Sequence, residues 1–155
     1  MLARCGIEVV YGGGNVGLMG AVADAAIAAG GKVTGVIPRS LAAREVAHAG
    51  ITRLYVVDSM HERKALMNDL SSGFVMLPGG FGTFEEFCEV VTWVQLRIIV
   101  KPCVVLNAAG YYDPLIAMFD RAHTSGFIND RNRSIVEVVE SVEALAELIA
   151  ALARA

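Results

Sequence analysis

Two glycine-rich strings and two groups of charged side chains are the parts of the sequence with the residue types to do chemistry. In Pro78-Gly79-Gly80-Phe81-Gly82-Thr83-Phe84-Glu85-Glu86, three glycines crowd the start of an apolar helical stretch. Backbone without Cβ atoms can turn several N–H groups toward one point, and the positive end of the helix dipole adds to them. The string therefore predicts an anion cradle that suits a phosphate. It is not a Walker A loop, because no Gly-Lys-Ser/Thr follows. Thr83 and Glu86 also have the spacing of a capping box, which by itself explains a carboxylate at position 86. Glu85 and Glu89 read as a first-turn charge and a solvent-face charge.

The first glycine string, Gly12-Gly13-Gly14-Asn15-Val16-Gly17, matches G-x-G-x-x-G between a strand and a helix. A dinucleotide site also needs an acid roughly 20 residues later, at the end of the next strand. Val36-Ile37-Pro38-Arg39-Ser40 offers none. A tight strand-to-helix turn and a phosphate or sugar contact at Gly13 and Gly14 both remain open. Arg63 and Lys64 follow a second capping box, Ser59-Met60-His61-Glu62, which starts a helix near Ser59. Two cations in the first turns oppose the helix dipole. Either they are solvated and offset by Glu62 and Asp69, or they face an anion that arginine grips bidentately. His48, His61 and His123 have no metal-ligand spacing and read as surface or packing residues. Phe87, Val90 and Trp93 read as core, and no nucleophile elbow is present.

These strings need a scaffold that brings loops together, and the chain alternates strand and helix throughout. Strands are expected at 7–11, 33–37, 54–57, 74–77, 103–106 and 135–139. Helices are expected at 17–29, 59–70, 83–97, 114–125 and 142–154, with a loop or short helix over 39–50. Short strands that are apolar on both faces predict an α/β domain with a doubly wound, Rossmann-like parallel sheet in three layers, a single domain over 1–155. The chain has 155 residues, 13 Lys+Arg against 16 Asp+Glu, 55% hydrophobic and 19% charged residues. Mean hydropathy is +0.53 and the pI about 5.6. The composition excludes disorder, and without a basic excess no nucleic-acid partner is expected. No apolar run reaches 18 residues without a charge, so no membrane helix is expected. Met1 to Gly6 does not read as a secretory signal, and three scattered cysteines, Cys5, Cys88 and Cys103, suggest a reducing, cytoplasmic setting.

Tyr11-Gly12-Gly13-Gly14 with Gly17-Leu18-Met19-Gly20, Gly35-Val36-Ile37-Pro38, Met60-His61-Glu62-Arg63-Lys64 and the Pro78 to Glu86 string together resemble the LONELY GUY (LOG) family. Its members are cytokinin riboside 5′-monophosphate phosphoribohydrolases, and related sequences are often labelled lysine decarboxylase-like. The resemblance runs over essentially the whole chain, including Leu106-Asn107 to Tyr111-Tyr112-Asp113. It implies hydrolysis of the bond between an N6-substituted adenine and ribose 5-phosphate. It also implies Arg63 and Glu86 as the catalytic pair. Gly79, Gly80, Phe81, Gly82, Thr83 and Glu85 become the nucleotide-binding loop, with Glu45, Lys64 and Thr92 as further substrate contacts. A homodimer is implied, and neither a metal nor another cofactor is required.

The implied chemistry suits these residue types. Breaking a ribosyl–adenine bond develops oxocarbenium charge on the sugar, which a carboxylate stabilises. Two other functions fit the strings: a broader nucleosidase acting on AMP, and a nucleotide or cofactor carrier of the same fold without turnover. Members of the family begin with a strand, a Cys-Gly-Ser-Ser-type loop and a helix that are absent here. Leu2 to Gly6 looks like the last turn of that helix with its glycine stop. A chain without that strand is expected to be aggregation-prone, partly disordered near residues 1–6 or dependent on a partner.

Overall fold

The computed structural model describes residues 1–42 and 47–152. The chain forms two compact units, Met1–Ser71 and Ser72–Ala155. In the first, a 3₁₀ turn at Leu2–Cys5 closes on Gly6, which takes the left-handed conformation of a glycine stop (φ 73°). Strands β1 (Val9–Tyr11), β2 (Val33–Pro38) and β3 (Arg53–Val57) alternate with helices α1 (Leu18–Ala28), α2 (Arg39–Ala42) and α3 (Met60–Leu70). The sheet order is β1-β2-β3, all parallel, with Val10 opposite Thr34 and Gly35 opposite Leu54. Every residue of the central strand β2 is buried, and its one polar side chain, Thr34, donates to Glu8 Oε1. Ala23 and Ala26 of α1 pack on Val33, their short side chains letting the helix lie close to the sheet.

The second unit repeats the scheme. Strands β4 (Phe74–Met76), β5 (Cys103–Leu106) and β6 (Val136–Val139) form a parallel sheet in the order β4-β5-β6. Helices α4 (Phe81–Gln95), α5 (Asp113–Thr124), α6 (Asp130–Arg133) and α7 (Val142–Leu152) complete it. Met76, Phe87, Val90, Cys103, Val105, Tyr112 and Val136 make its core. Both units are thus the parallel, Rossmann-like α/β structure that the alternation predicts.

Two elements depart from expectation. Helix α6 is absent from the sequence reading, and it is a single turn that the Asn129 side chain caps by accepting from Asn132 N–H at 2.8 Å. Helix α4 starts at Phe81 instead of Thr83. Gly80 stands at its N-cap in an extended conformation (φ −103°, ψ −152°), so the helix begins among the glycines. Positions 153 and 154 of the expected closing helix lie outside the described residues.

Candidate functional site

The early start of α4 changes what its first turn offers. The first helical bond runs from Phe84 N–H to Gly80 O at 3.1 Å, so Phe81, Gly82 and Thr83 carry N–H groups with no acceptor within the helix. No side chain caps this end and no acid lies in the first turn. A Cβ placed on Gly80 or Gly82 would meet nothing within 4 Å, so the space over these donors is open. Gly79 has a different task, since a side chain there would collide with Thr83 Oγ1, which packs against its backbone. The capping box expected at Thr83 and Glu86 is therefore not formed. Thr83 is already the third helical residue, and Glu86, half-buried, belongs to the second turn.

The approach to α4 is held from the segment after β5. Tyr111 Oη donates to Gly79 O at 2.8 Å and Tyr112 Oη to Leu77 O at 2.6 Å. Tyr112 is buried, and its ring meets Phe84 edge-on at 6.1 Å. Burial pushes the Tyr112 phenol above its ordinary value, which keeps it a donor. The buried Asn107 side chain accepts from Tyr112 N–H and donates to Asp113, both at 2.7 Å. Sequence reasoning gave Asn107, Tyr111 and Tyr112 no role. The pairing of two phenols with two carbonyls 32 and 35 residues upstream has no local signal.

In the first unit, Arg63 is buried on α3, which rules out the solvated reading for it. Its Nη2 donates to Gly12 O at 3.4 Å and its Nη1 lies 3.7 Å from Met60 Sδ. The capping of α3 is as expected at Ser59, whose Oγ accepts from Glu62 N–H at 3.1 Å. Glu62 answers one residue earlier than a capping box requires, accepting from Asp58 N–H at 3.0 Å. Gly12 is glycine because a Cβ there would collide with the Arg63 guanidinium. Gly13 turns with φ +78°, and a Cβ on it would press Ile37 and Leu54 at 3.2 Å. Gly14 is buried and bridges Ala47. Packing thus accounts for the glycine at position 13 as part of a tight turn.

His48 locks that turn. Its N–H donates to Gly13 O at 3.0 Å, its Nδ1 accepts from Gly50 N–H at 3.1 Å, and its Nε2 lies 3.0 Å from Asp24 Oδ1. With Nδ1 accepting, Nε2 carries the proton and donates to the carboxylate. Burial, helped by the Asp24 charge, pushes the neighbouring Tyr11 phenol up to about 12.

The remaining expected contacts are more dispersed. Lys64 is half-buried and engaged, Glu85 is exposed and engaged, and Glu45 lies outside the described residues. Phe81 is 91% exposed and stands edge-on to Phe84 at 6.2 Å. Thr92 is nine residues beyond Thr83, about 13 Å along the helix. Its hydroxyl donates to Cys88 O at 2.7 Å. It lines a groove of about 170 Å³ with Val91, Gln95, Phe119, Ile128 and Arg133. Thr92 is not part of the glycine cradle.

Comparisons with known proteins agree with this architecture. The family model described as "Possible lysine decarboxylase" matches residues 19–149. The cytokinin riboside 5′-monophosphate phosphoribohydrolase of Rhodococcoides fascians is 51% identical over 92% of this chain and 72% of its own length. A probable enzyme of the same name from Oryza sativa subsp. japonica is 50% identical over 87% of this chain and 60% of its own. A third from Arabidopsis thaliana is 43% identical over 96% and 70%. Among solved structures, the molybdenum cofactor carrier protein of Chlamydomonas reinhardtii matches with a TM-score of 0.69 at 23% identity, over 98% of this chain and 81% of that one. The molybdenum cofactor binding protein of Rippkaea orientalis gives 0.72 at 22%, over 97% and 80%. At such identities the structural likeness speaks for the fold alone. Sequence identity of about half, over nine-tenths of the chain, goes further: the chain belongs to the LONELY GUY family of cytokinin riboside 5′-monophosphate phosphoribohydrolases.

Proposed function

We propose that this protein hydrolyses the N-glycosidic bond of N6-substituted adenosine 5′-monophosphates, releasing the free base and ribose 5-phosphate. The observation that carries this reading is the start of α4: uncapped N–H groups under open space, with a half-buried carboxylate, Glu86, in the second turn. The cradle of Gly79, Gly80, Phe81, Gly82 and Thr83 binds the 5′-phosphate and supplies binding energy remote from the reacting bond. Glu86 stabilises the developing oxocarbenium ion and orients the water that attacks C1′. The water's hydroxyl goes to the sugar and its proton to the departing base. Arg63, fixed against Gly12 O, is the second catalytic residue and holds its charge in one place. Lys64, Glu45 and Glu85 serve as substrate contacts. Thr92, far along α4, meets the base end, where the apolar groove suits an alkyl group on N6.

We further propose that the enzyme is a cytoplasmic homodimer. Helix α4 buries Phe87 and Val90, yet Leu96 and Ile98 just beyond it are 61% and 64% exposed, and Val100 is 94% exposed. Monomeric proteins rarely leave such a run uncovered.

The test incubates the protein with isopentenyladenosine monophosphate and with AMP, and measures free base by chromatography. Release from the first substrate is expected, and release from AMP at an equal rate would favour the broader nucleosidase. Glu86→Gln is expected to lower release at least about a hundredfold while ribose 5-phosphate still binds. A wild-type protein that binds nucleotide without releasing base would be a carrier.

A further inference from the structure

We propose that Tyr111 is a positioning residue for the phosphate cradle, acting through the peptide that joins Gly79 to Gly80. The inference rests on the function proposed above and deepens it. Tyr111 and Tyr112 are neighbours in sequence, and each donates to a carbonyl of the segment leading into α4. Ala109 (φ 53°) and Gly110 (φ 71°) turn the chain so that both phenols reach it.

The two bonds act on different peptides. Leu77 O belongs to the peptide whose nitrogen is that of Pro78, which has no N–H. Tyr112 therefore anchors the segment, through Leu77 O and the Gly79 N–H, and does not act on the Gly80 N–H. Gly79 O belongs to the peptide that ends in Gly80 N–H, at the cap of α4. The bond between Gly79 and Gly80 is trans, so that N–H points opposite to the carbonyl that Tyr111 holds. A hydrogen bond at the carbonyl fixes the plane of the amide and polarises it, making the N–H a better donor. Glycine on both sides leaves that plane little else to fix it. Nothing lies within 4 Å of where a Gly80 side chain would be, so an anion has room to approach. Tyr111 is itself 50% exposed, so its hydroxyl contributes little to the core.

Tyr111→Phe and Tyr112→Phe separate the two roles. For Tyr111→Phe, the KM for isopentenyladenosine monophosphate and the inhibition constant of ribose 5-phosphate should both rise about three- to tenfold. The melting temperature, and inhibition by the free base, should stay as in the wild type. Tyr112→Phe should lower the melting temperature and leave the ribose 5-phosphate constant within twofold. A Tyr111→Phe protein with unchanged ribose 5-phosphate binding, or one that loses base and sugar phosphate affinity equally, would overturn the inference. If the wild type releases no base yet binds ribose 5-phosphate, the hydrolase reading fails. The Tyr111 effect is then read from that binding alone. If it does not bind ribose 5-phosphate, both fail.

Discussion

Gly12 and Gly13 are adjacent and of one residue type, yet different forces keep them. A Cβ on Gly12 would displace the tip of Arg63, a flexible side chain, and the Gly12 backbone is not in the left-handed region. Gly12→Ala should therefore keep its melting temperature within a few degrees while kcat falls at least tenfold, because the guanidinium moves. Gly13 has φ +78° and its Cβ would press on Ile37 and Leu54. Gly13→Ala should lose about 1–3 kcal/mol of stability. Thermal melts and base-release kinetics on the two variants check this, and the opposite pattern would undo the assignment of Arg63. The string Gly12-Gly13-Gly14 showed in sequence that the backbone is crowded there. It did not show by what, because the guanidinium that fills the missing Cβ volume comes from 51 residues downstream.

At the scale of elements, the two ends of α4 explain where pattern reading succeeds and stops. Its apolar spacing identified the helix, and Phe87 and Val90 are the core residues expected. Its start was misplaced because Thr83 and Glu86 satisfy a local capping rule, while Gly79, Gly80 and Gly82 permit an earlier start that carries no side-chain signal. Its end was misplaced for the converse reason. Arg97 N–H bonds Val94 O at 3.0 Å and Ile98 N–H bonds Trp93 O at 2.9 Å, a Schellman stop. The residue in its left-handed position (φ 60°) is arginine where glycine is the usual marker. Arg97→Gly should relieve that conformation and raise stability by about 1 kcal/mol, a gain of roughly 2–4 °C in melting temperature. A fall on this substitution would show that the arginine side chain is needed there.

For the whole molecule, strand and helix alternation was legible from end to end because buried parallel strands read as short apolar runs between amphipathic helices. What hydropathy does not encode is how burial shifts the groups that can ionise, and each unit offers an example. In the second unit, burial pushes the Cys103 thiol from 9.0 up to about 11. In the first, burial and Asp24 push the Tyr11 phenol from 10.0 up to about 12. In both cases the unfolded chain releases its proton at the lower pH and the folded chain keeps it. Between the two values the unfolded state binds fewer protons, so stability falls as pH rises. The loss should begin near pH 9 with Cys103 and continue above pH 10 with Tyr11. Melting temperatures between pH 8 and 11.5 should fall for the wild type, less steeply over pH 9–11 for Cys103→Val, and less steeply above pH 10 for Tyr11→Phe. All other side chains are common to the three proteins, so the differences between the curves isolate the two buried groups. Three parallel curves would mean that neither proton is held by the fold.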